Sequence, residues 1–248
     1  MTGGGLRVVS ADWPVRPEVH GLCTERAGGF SQPPFDSLDL GEHCGDDPEH
    51  VARNRDHLAR QLRLPAAPRW LDQVHGARCV IWAGQGPRRE RADAAYTRHR
   101  GEVLAILTAD CLPVLLASDD GEELAAAHGG WRGLLAGVLE SALAPFSAPA
   151  ARIHAWLGPA IGPAAFQVGD EVRSAFVARD PAHGGAFVPD DEGRWRCDIY
   201  RLARHILGRA GVASISGGTH CTVSEAGRFY SYRRDGRTGR MATLLWGP

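Results

Sequence analysis

Residues 103–138 constrain the fold more than any other part of the chain. They contain three apolar runs of strand length, separated by short polar turns and followed by an apolar pattern with helical spacing. Cys111 comes shortly after the first run, and the third run ends at His128. Scaffolds commonly present reactive side chains where buried strands give way to loops. This stretch therefore predicts a buried sheet with a thiol and an imidazole at its edge.

Helices are predicted where a capping residue precedes an amphipathic run. The triplet Asp-Pro-Glu at 47–49 has the residue types that begin a helix, and apolar spacing then continues over 48–62. Similar patterns predict helices over 168–177 and 198–207. No linker or internal repeat divides the sequence, so we interpret residues 1–248 as one α/β domain.

Composition excludes several classes of function. All 28 basic residues are arginine, which excludes Schiff-base chemistry, pyridoxal phosphate and Walker-type phosphate loops, since each needs a lysine amine. The formal net charge of -1 gives no basis for binding nucleic acid or an anionic membrane. No apolar run has membrane-spanning length and the first residues do not resemble a signal peptide. We therefore expect a cytoplasmic protein with reduced cysteines and no membrane partner.

His75, Cys111 and His128 are candidate metal ligands. Each stands near a point where an apolar strand gives way to a polar or glycine-containing turn, and all are residue types that zinc prefers. Their gaps of 36 and 17 residues match no compact zinc motif. Taken singly, a strand cysteine is usually a small buried apolar residue, and a histidine more often belongs to a polar core or the surface. The residues alone leave a metal site and a structural role both open.

Five segments in one order resemble the YfiH family, whose members are also called laccase-domain proteins, polyphenol oxidases and purine nucleoside phosphorylases. The segments are QVHG, TADCLPVLLA, AHGGWRGLLAGV, GPAIGP with the following FQVGDEV, and FYSYRRDGRTGRMA. FDSLDLGEHCGDDPEHVARNRDHL resembles the N-terminal part of the same family. The resemblance spans residues 21–246, and an ordered set of motifs is far more specific than any single motif.

The resemblance implies a single-domain, four-layer α/β/β/α sandwich with two mixed β-sheets. It also implies one metal ion, usually zinc, on the histidine of QVH, the cysteine of TADC and the histidine of AHxGWRG. In this sequence these are His75, Cys111 and His128. Three protein ligands leave a tetrahedral ion one open position, as in catalytic zinc sites, and Cys111 would bind as the thiolate. We expect that Cu²⁺ can occupy the same ligands.

The resemblance implies that the substrates are small nucleosides and phosphate. The implied reactions are phosphorolysis of adenosine, inosine and S-methyl-5'-thioadenosine, and hydrolytic deamination of adenosine in the same site. Deamination suits zinc, because water bound to zinc ionises near neutral pH. Phosphorolysis needs cations for phosphate and a donor to the departing base. We assign the phosphate to Arg55 and, second, to Arg132, and the donor to a protonated Asp39. The alternative is that Arg55 is a solvated helix residue.

Two other functions remain open at this point. The older family name implies a copper-dependent polyphenol oxidase, but none of the 11 histidines is two residues from another, as a trinuclear copper cluster requires. The only methionines available as an axial copper ligand are Met1 and Met241. The third function is a metal-free amidase that edits peptidoglycan precursors, with Cys111 as nucleophile and His128 as base. The number of subunits is left open.

Overall fold

The structure is a computed structural model that describes residues 5–84, 89–190 and 192–247. The first four residues, on which the expectation about a signal peptide depends, lie outside this range. The strands are β1 (Val8–Ser10), β2 (His20–Thr24), β3 (Trp70–Leu71), β4 (Cys79–Trp82), β5 (Arg89–Glu90), β6 (Ala94–Thr97), β7 (Leu104–Thr108), β8 (Leu112–Ser118), β9 (Leu124–Gly129), β10 (Ile153–Leu157), β11 (Gln167–Val168), β12 (Phe187–Pro189), β13 (Trp195–Cys197), β14 (Ser214–Gly217) and β15 (Met241–Trp246). The α-helices are α1 (Pro48–Gln61), α2 (Trp131–Ala136), α3 (Val138–Leu143), α4 (Asp170–Arg179), α5 (Ile199–Arg209) and α6 (Tyr232–Asp235).

Two sheets form the centre of the fold. The six-stranded sheet has the order β14-β10-β8-β9-β6-β4 and is mixed, because β10 and β14 run parallel, as do β4 and β6. The four-stranded sheet has the order β1-β2-β15-β7. It is antiparallel throughout, since the last strand of the chain runs opposite to both of its neighbours. The predicted α/β sandwich is therefore confirmed, although only the larger of the two main sheets is mixed.

Three apolar layers hold the sandwich together. Leu115 and Trp156 lie in the layer between the two sheets. Phe176 and Leu202 belong to the layer that joins the outer face of the six-stranded sheet to helices α2 to α5. Leu58 of α1 packs against the outer face of the four-stranded sheet. The order of layers is therefore α/β/β/α, as the family resemblance implies.

Helix α1 begins where the sequence predicts. Oδ1 of Asp47 accepts the backbone N–H of Glu49 at 2.8 Å, and Pro48 occupies the first turn, where it lacks only an N–H that no helix bond would use. Val51 and Leu58 are buried on the inward face. Helix α5 confirms the prediction over 198–207 in the same way, with an Asp cap.

One predicted helix is divided in two, and another is shifted by two residues. The apolar pattern after AHGGWRG forms α2 and α3, which are separated by Gly137 at φ 96°, a left-handed conformation that favours glycine. The prediction over 168–177 was wrong at its start, because Gln167 and Val168 pair with β13 and the helix begins at Asp170 after an extended Gly169. Among the described residues, no helix has the length and apolar character needed to cross a membrane.

Candidate metal centre

The turn that carries Cys111 connects the two sheets. Strand β7 belongs to the four-stranded sheet and β8 to the six-stranded sheet, so residues 109–111 cross between them. Asp110 takes φ 94°, which permits this sharp crossing. His128 lies in β9 opposite Pro113 of β8, so its imidazole and the Cys111 thiol lie at the same end of neighbouring strands. The structure thus brings together the thiol and the imidazole that the sequence places at strand ends.

His75 reaches the same place from a turn after β3. Its backbone has φ 60°, and the carboxylate of Asp93 holds the turn in position. Oδ1 of Asp93 accepts the N–H of His75 at 2.8 Å, and Oδ2 accepts the N–H of Gly76 at 2.7 Å. A buried carboxylate that accepts several backbone donors fixes the loop more firmly than apolar contacts alone.

The three side chains fit a tetrahedral metal ion. One ligand atom from each of His75, Cys111 and His128 lies within 4.8 Å of the other two. Sγ of Cys111 is 3.9 Å from Nε2 of His75, close to the separation of about 3.6 Å that two ligands of one tetrahedral zinc ion would have. Nδ1 of His128 donates to Asp93 at 2.8 Å, so Nε2 is the nitrogen available to a metal ion, which would displace the proton there. This set of two imidazoles and a thiolate suits zinc or copper.

Charge in the cluster favours the thiolate form of Cys111. Burial raises the pKa of this thiol, but the imidazoles of His128 and His75 outweigh burial and lower the pKa to about 6. Burial lowers the pKa of His128, but the Cys111 sulfur and the Asp93 carboxylate raise it to about 9. A thiolate is the form that binds a metal and the form that attacks an electrophile. Within the described residues, all six cysteines are free of disulfide bonds.

Gly130 leaves room for the ligands. A Cβ at this position would lie 3.0 Å from Sγ of Cys111 and 3.2 Å from Cδ2 of His75, closer than nearly all real Cβ contacts. The residue precedes α2 in the AHGGWRG segment. Its lack of a side chain therefore permits the close approach of the cysteine and histidine loops to β9.

The ligands face a cavity of about 430 Å³, a volume suited to a small organic molecule. Its walls are of two kinds. The apolar side chains include Trp131, Ile161 and Phe166, and the cationic ones are Arg132, Arg233 and Arg240. The cavity can therefore hold a flat apolar group and an anion at the same time.

Of the two arginines predicted to bind phosphate, only Arg132 lines the cavity. Its guanidinium stacks 4.2 Å from the centre of the Trp131 ring, and within the described part of the chain it makes no hydrogen bond or ion pair. Arg55 lies outside the cavity lining. It donates to the carbonyl of Leu40 at 3.0 and 2.7 Å and pairs with the carboxylate of Glu42. The Arg55 guanidinium therefore already binds the loop over residues 40–42 to helix α1.

Asp39 is fully buried and also lies outside the cavity lining. Its Oδ1 accepts the backbone N–H groups of Gly41 and Arg240, each at 2.9 Å. Its Oδ2 has no hydrogen-bond partner within the described residues, and burial raises the pKa of the carboxyl to about 6. Asp39 therefore influences the cavity through Arg240, whose side chain forms part of the wall.

Residue-by-residue prediction missed several groups that position the site. Oε1 and Nε2 of Gln73 bond to the N–H and carbonyl of Leu107, both at 2.8 Å, and so attach the QVHG loop to β7. The carboxylate of Asp110 accepts Oγ1 of Thr222 at 2.5 Å and the N–H of Arg233 at 2.6 Å. Gln73, Asp110 and Arg233 lie inside the motifs quoted above, and their place in these motifs is the sequence signal that could have identified them.

Fold and site together define an α/β/β/α sandwich protein with a His₂Cys ligand cluster in an arginine-lined cavity. The family model described as multi-copper polyphenol oxidoreductase laccase matches residues 20–247. The chain belongs to this family, the YfiH or laccase-domain family, which confirms the resemblance drawn from the motifs.

Relatives match over nearly the whole chain. Purine nucleoside phosphorylase YfiH of Escherichia coli (strain K12) is 49% identical over 240 residues, which cover 97% of this chain and 98% of that protein. A purine nucleoside phosphorylase of Pseudomonas aeruginosa is 51% identical over 239 residues, covering 96% and 97%. The crystal structure of a Neisseria meningitidis protein superposes with a TM-score of 0.91 at 44% identity, covering 97% of this chain and 98% of that one.

Proposed function

We propose that this chain is a zinc-dependent purine nucleoside enzyme of the cytoplasm. It carries out phosphorolysis of adenosine, inosine and S-methyl-5'-thioadenosine, and hydrolytic deamination of adenosine. The observation that carries the proposal is the placement of His75, Cys111 and His128 in a cavity with apolar walls and with Arg132, which forms no ion pair within the described residues. The names of the Escherichia coli and Pseudomonas aeruginosa relatives support phosphorolysis. Deamination rests on the family resemblance and on the chemistry of the ligands.

The apolar and the cationic walls of the cavity bind different parts of the substrates. The side chains of Trp131 and Phe166 provide apolar surface for the purine base. Arg132 offers a planar pair of N–H donors that matches two oxygens of phosphate. In phosphorolysis, a phosphate oxygen forms a bond to C1' of the ribose, while the bond between C1' and the base breaks and its electron pair leaves with the base. Arg132 keeps the anion oriented for this displacement.

The roles of Arg55 and Asp39 follow from their contacts. Because Arg55 is bound to Leu40 and Glu42, we assign it to the support of the loop over 40–42 and no longer to phosphate. Because Asp39 holds the backbone N–H of Arg240, we assign it to the positioning of that arginine. Neither residue contacts the substrate in this proposal.

When bound, zinc would supply a Lewis acid and a water molecule that ionises near neutral pH. His75, Cys111 and His128 would hold the ion, and Asp93 would fix the His128 ring and the backbone of the His75 turn. In deamination, water adds at C6 of adenine and ammonia leaves. The chain's own contribution is to stack the purine against the apolar walls of the cavity, Trp131 and Phe166.

The test is a nucleoside panel assayed with and without phosphate, on protein purified without added metal and analysed for its metal content. We expect phosphate-dependent release of base from all three nucleosides and phosphate-independent formation of inosine from adenosine. Cys111→Ser should abolish both activities, and Cys79→Ser, on edge strand β4, serves as the matched control and should keep them. Full activity of metal-free protein would contradict the proposal, as would the absence of any nucleoside turnover.

A metal-free cysteine hydrolase is the second candidate, and one arrangement favours it. The thiol of Cys111, the imidazole of His128 and the carboxylate of Asp93 follow one another in the order of nucleophile, base and orienting group. This candidate predicts that chelator-treated protein cleaves amide bonds of cell-wall precursors and that alkylation of Cys111 stops it. Amide cleavage that needs zinc, or no amide cleavage, would eliminate it.

A copper oxidase is the least supported candidate. The sequence has no His-x-His pair. Among the described residues, the two clusters able to hold a metal each contain only two histidines, fewer than a trinuclear copper cluster requires.

A further inference from the structure

A second cluster of ligand side chains lies outside the cavity described above. Asp180 follows the C-terminal end of α4, His183 lies in the short 3-10 helix Pro181–Ala186, and His205 lies in α5. One ligand atom from each lies within 4.8 Å of the other two. None of the three lines the cavity of the His₂Cys cluster, and the proposed function uses none of them.

His183 has the orientation of a metal ligand. Its side chain is buried, and Nδ1 lies 3.0 Å from the carbonyl oxygen of Phe176. A carbonyl only accepts, so Nδ1 carries the hydrogen and Nε2 carries the lone pair. No residue in the described part of the chain forms a hydrogen bond with Nε2. The imidazole also packs edge-on against the Phe176 ring, with centroids 5.6 Å apart, which holds its direction.

His205 and Asp180 supply the other two donors. Nε2 of His205 is 3.0 Å from Oδ2 of Asp180, and the two imidazole centroids lie 4.9 Å apart. The other carboxylate oxygen of Asp180 accepts the N–H of Ala182 and so caps the 3-10 helix. All three side chains border a cavity of about 340 Å³ that opens to solvent, so an ion and its water ligands can enter.

Arg209 partly occupies this position. Its guanidinium pairs with Oδ2 of Asp180, but the side chain is 67% exposed. The Asp180 side chain is only 13% exposed, so this carboxylate needs a cationic partner. The exposed guanidinium can leave it for solvent when a metal ion takes its place. A metal ion bound at Oδ2 of Asp180 would replace the Arg209 guanidinium.

We propose that Asp180, His183 and His205 form a second metal site, selective for a divalent transition ion such as Zn²⁺. Two imidazole nitrogens and one carboxylate oxygen are ligands that zinc accepts readily, and the remaining positions would be filled by water. The site joins the end of α4 to α5, so a bound ion stabilises the folded state by its binding free energy. Its role is structural and independent of the nucleoside reaction.

The experiment is equilibrium dialysis of tag-free, chelator-stripped protein against Zn²⁺, with the bound metal measured. We expect two equivalents for the parent protein, one for Cys111→Ser, and none for Cys111→Ser combined with His205→Gln. The matched control is Cys111→Ser combined with His154→Gln. Like His205, His154 is half-buried, but it bonds to Ser214. This control variant should therefore still bind one equivalent of Zn²⁺. With Co²⁺ as the probe, the equivalent held by Cys111→Ser should lack any thiolate-to-metal absorption band.

Arg209→Ala gives a directional check. When it is added to Cys111→Ser, it should tighten Zn²⁺ binding severalfold, because Zn²⁺ no longer has to displace the Arg209 guanidinium from Asp180. If His205→Gln does not fold, Asp180→Asn should show the same loss of one equivalent. The proposal is overturned if Cys111→Ser binds no Zn²⁺, or if it still binds one equivalent when either His205→Gln or Asp180→Asn is added. It is also overturned if Arg209→Ala weakens Zn²⁺ binding.

Discussion

The carboxylate of Asp93 accepts a hydrogen bond from Nδ1 of His128 at 2.8 Å, inside the protein. The same carboxylate accepts the backbone N–H groups of residues 74–76. One buried side chain therefore sets the ring of one candidate ligand and the loop of another. These hydrogen bonds outweigh burial and keep the pKa of Asp93 below its ordinary value, so it remains an acceptor at neutral pH.

Asp93→Asn should weaken metal binding without removing any ligand. Oδ1 of Asp93 bonds to the His128 ring and the N–H of His75, and Oδ2 bonds to the N–H groups of residues 74 and 76. An amide offers only one acceptor oxygen, so one of these two sets loses its partner. We expect a loss of about 10–100-fold in Zn²⁺ affinity, measured by competition with a chromophoric chelator. Asp119→Asn, which breaks an exposed ion pair with Arg152, is the matched control. Equal affinity in the two variants would show that Asp93 does not position the ligands.

Arg132→Ala and Arg55→Ala should have different effects on the two activities. Loss of a charged donor pair to phosphate costs roughly 1.5–3 kcal/mol, so Arg132→Ala should raise the KM for phosphate about 10–100-fold and affect adenosine deamination far less. Arg55→Ala should lower both activities together, because it releases the loop at Leu40. The measurement is KM and kcat for each substrate. A selective rise in the phosphate KM of Arg55→Ala would restore the sequence-based assignment.

These two arginines show where sequence reasoning succeeds and where it stops. The family resemblance carried by the motifs and their order predicted the sandwich and the ligand set of His75, Cys111 and His128, whereas the residues alone left a metal site and a structural role both open. Arg55 donates to the carbonyl of Leu40, 15 residues earlier in the chain, and a helical pattern in the sequence does not predict that contact. Asp93 was missed for the same reason, since its partners are a strand and a loop distant in sequence.

Gly130→Ala should disrupt the ligand cluster with little effect on the rest of the fold. The new Cβ would lie 3.0 Å from Sγ of Cys111, so the thiol or the strand has to move. Displacements of this kind cost on the order of 100-fold in activity, and we expect loss of bound metal in parallel. Gly208→Ala is the control, because its Cβ meets no atom within 4 Å and α5 should gain about 0.5–1 kcal/mol. Normal metal content in Gly130→Ala would contradict this account.

Asp39→Asn should make the protein more stable, and the gain should depend on pH. The carboxyl has a pKa of about 6 in the folded state against an ordinary value of 3.8, so folding is accompanied by proton uptake between these values. The free energy of unfolding therefore falls as pH rises through this window. Above the window, the full cost of burying the ionised carboxylate is present. Urea unfolding at about pH 7.5 should show the variant more stable by roughly 1–3 kcal/mol. The difference should vanish near pH 4, and a constant difference at all pH values would refute the assignment.

The last prediction separates zinc hydrolysis from copper oxidation on one protein. Both activities would use His75, Cys111 and His128, so substituting the ligands cannot distinguish them, whereas changing the metal and the assay can. Zinc has no redox chemistry, so we expect the zinc-loaded enzyme to form inosine from adenosine and to consume no oxygen with a phenol. The copper-loaded enzyme should oxidise the phenol only slowly, because the chain has no His-x-His pairs to build the cluster that reduces oxygen to water. Oxygen uptake and inosine formation are measured side by side for each metal form. Fast oxygen uptake by the copper form, together with no nucleoside turnover by the zinc form, would reverse the order of the candidate functions.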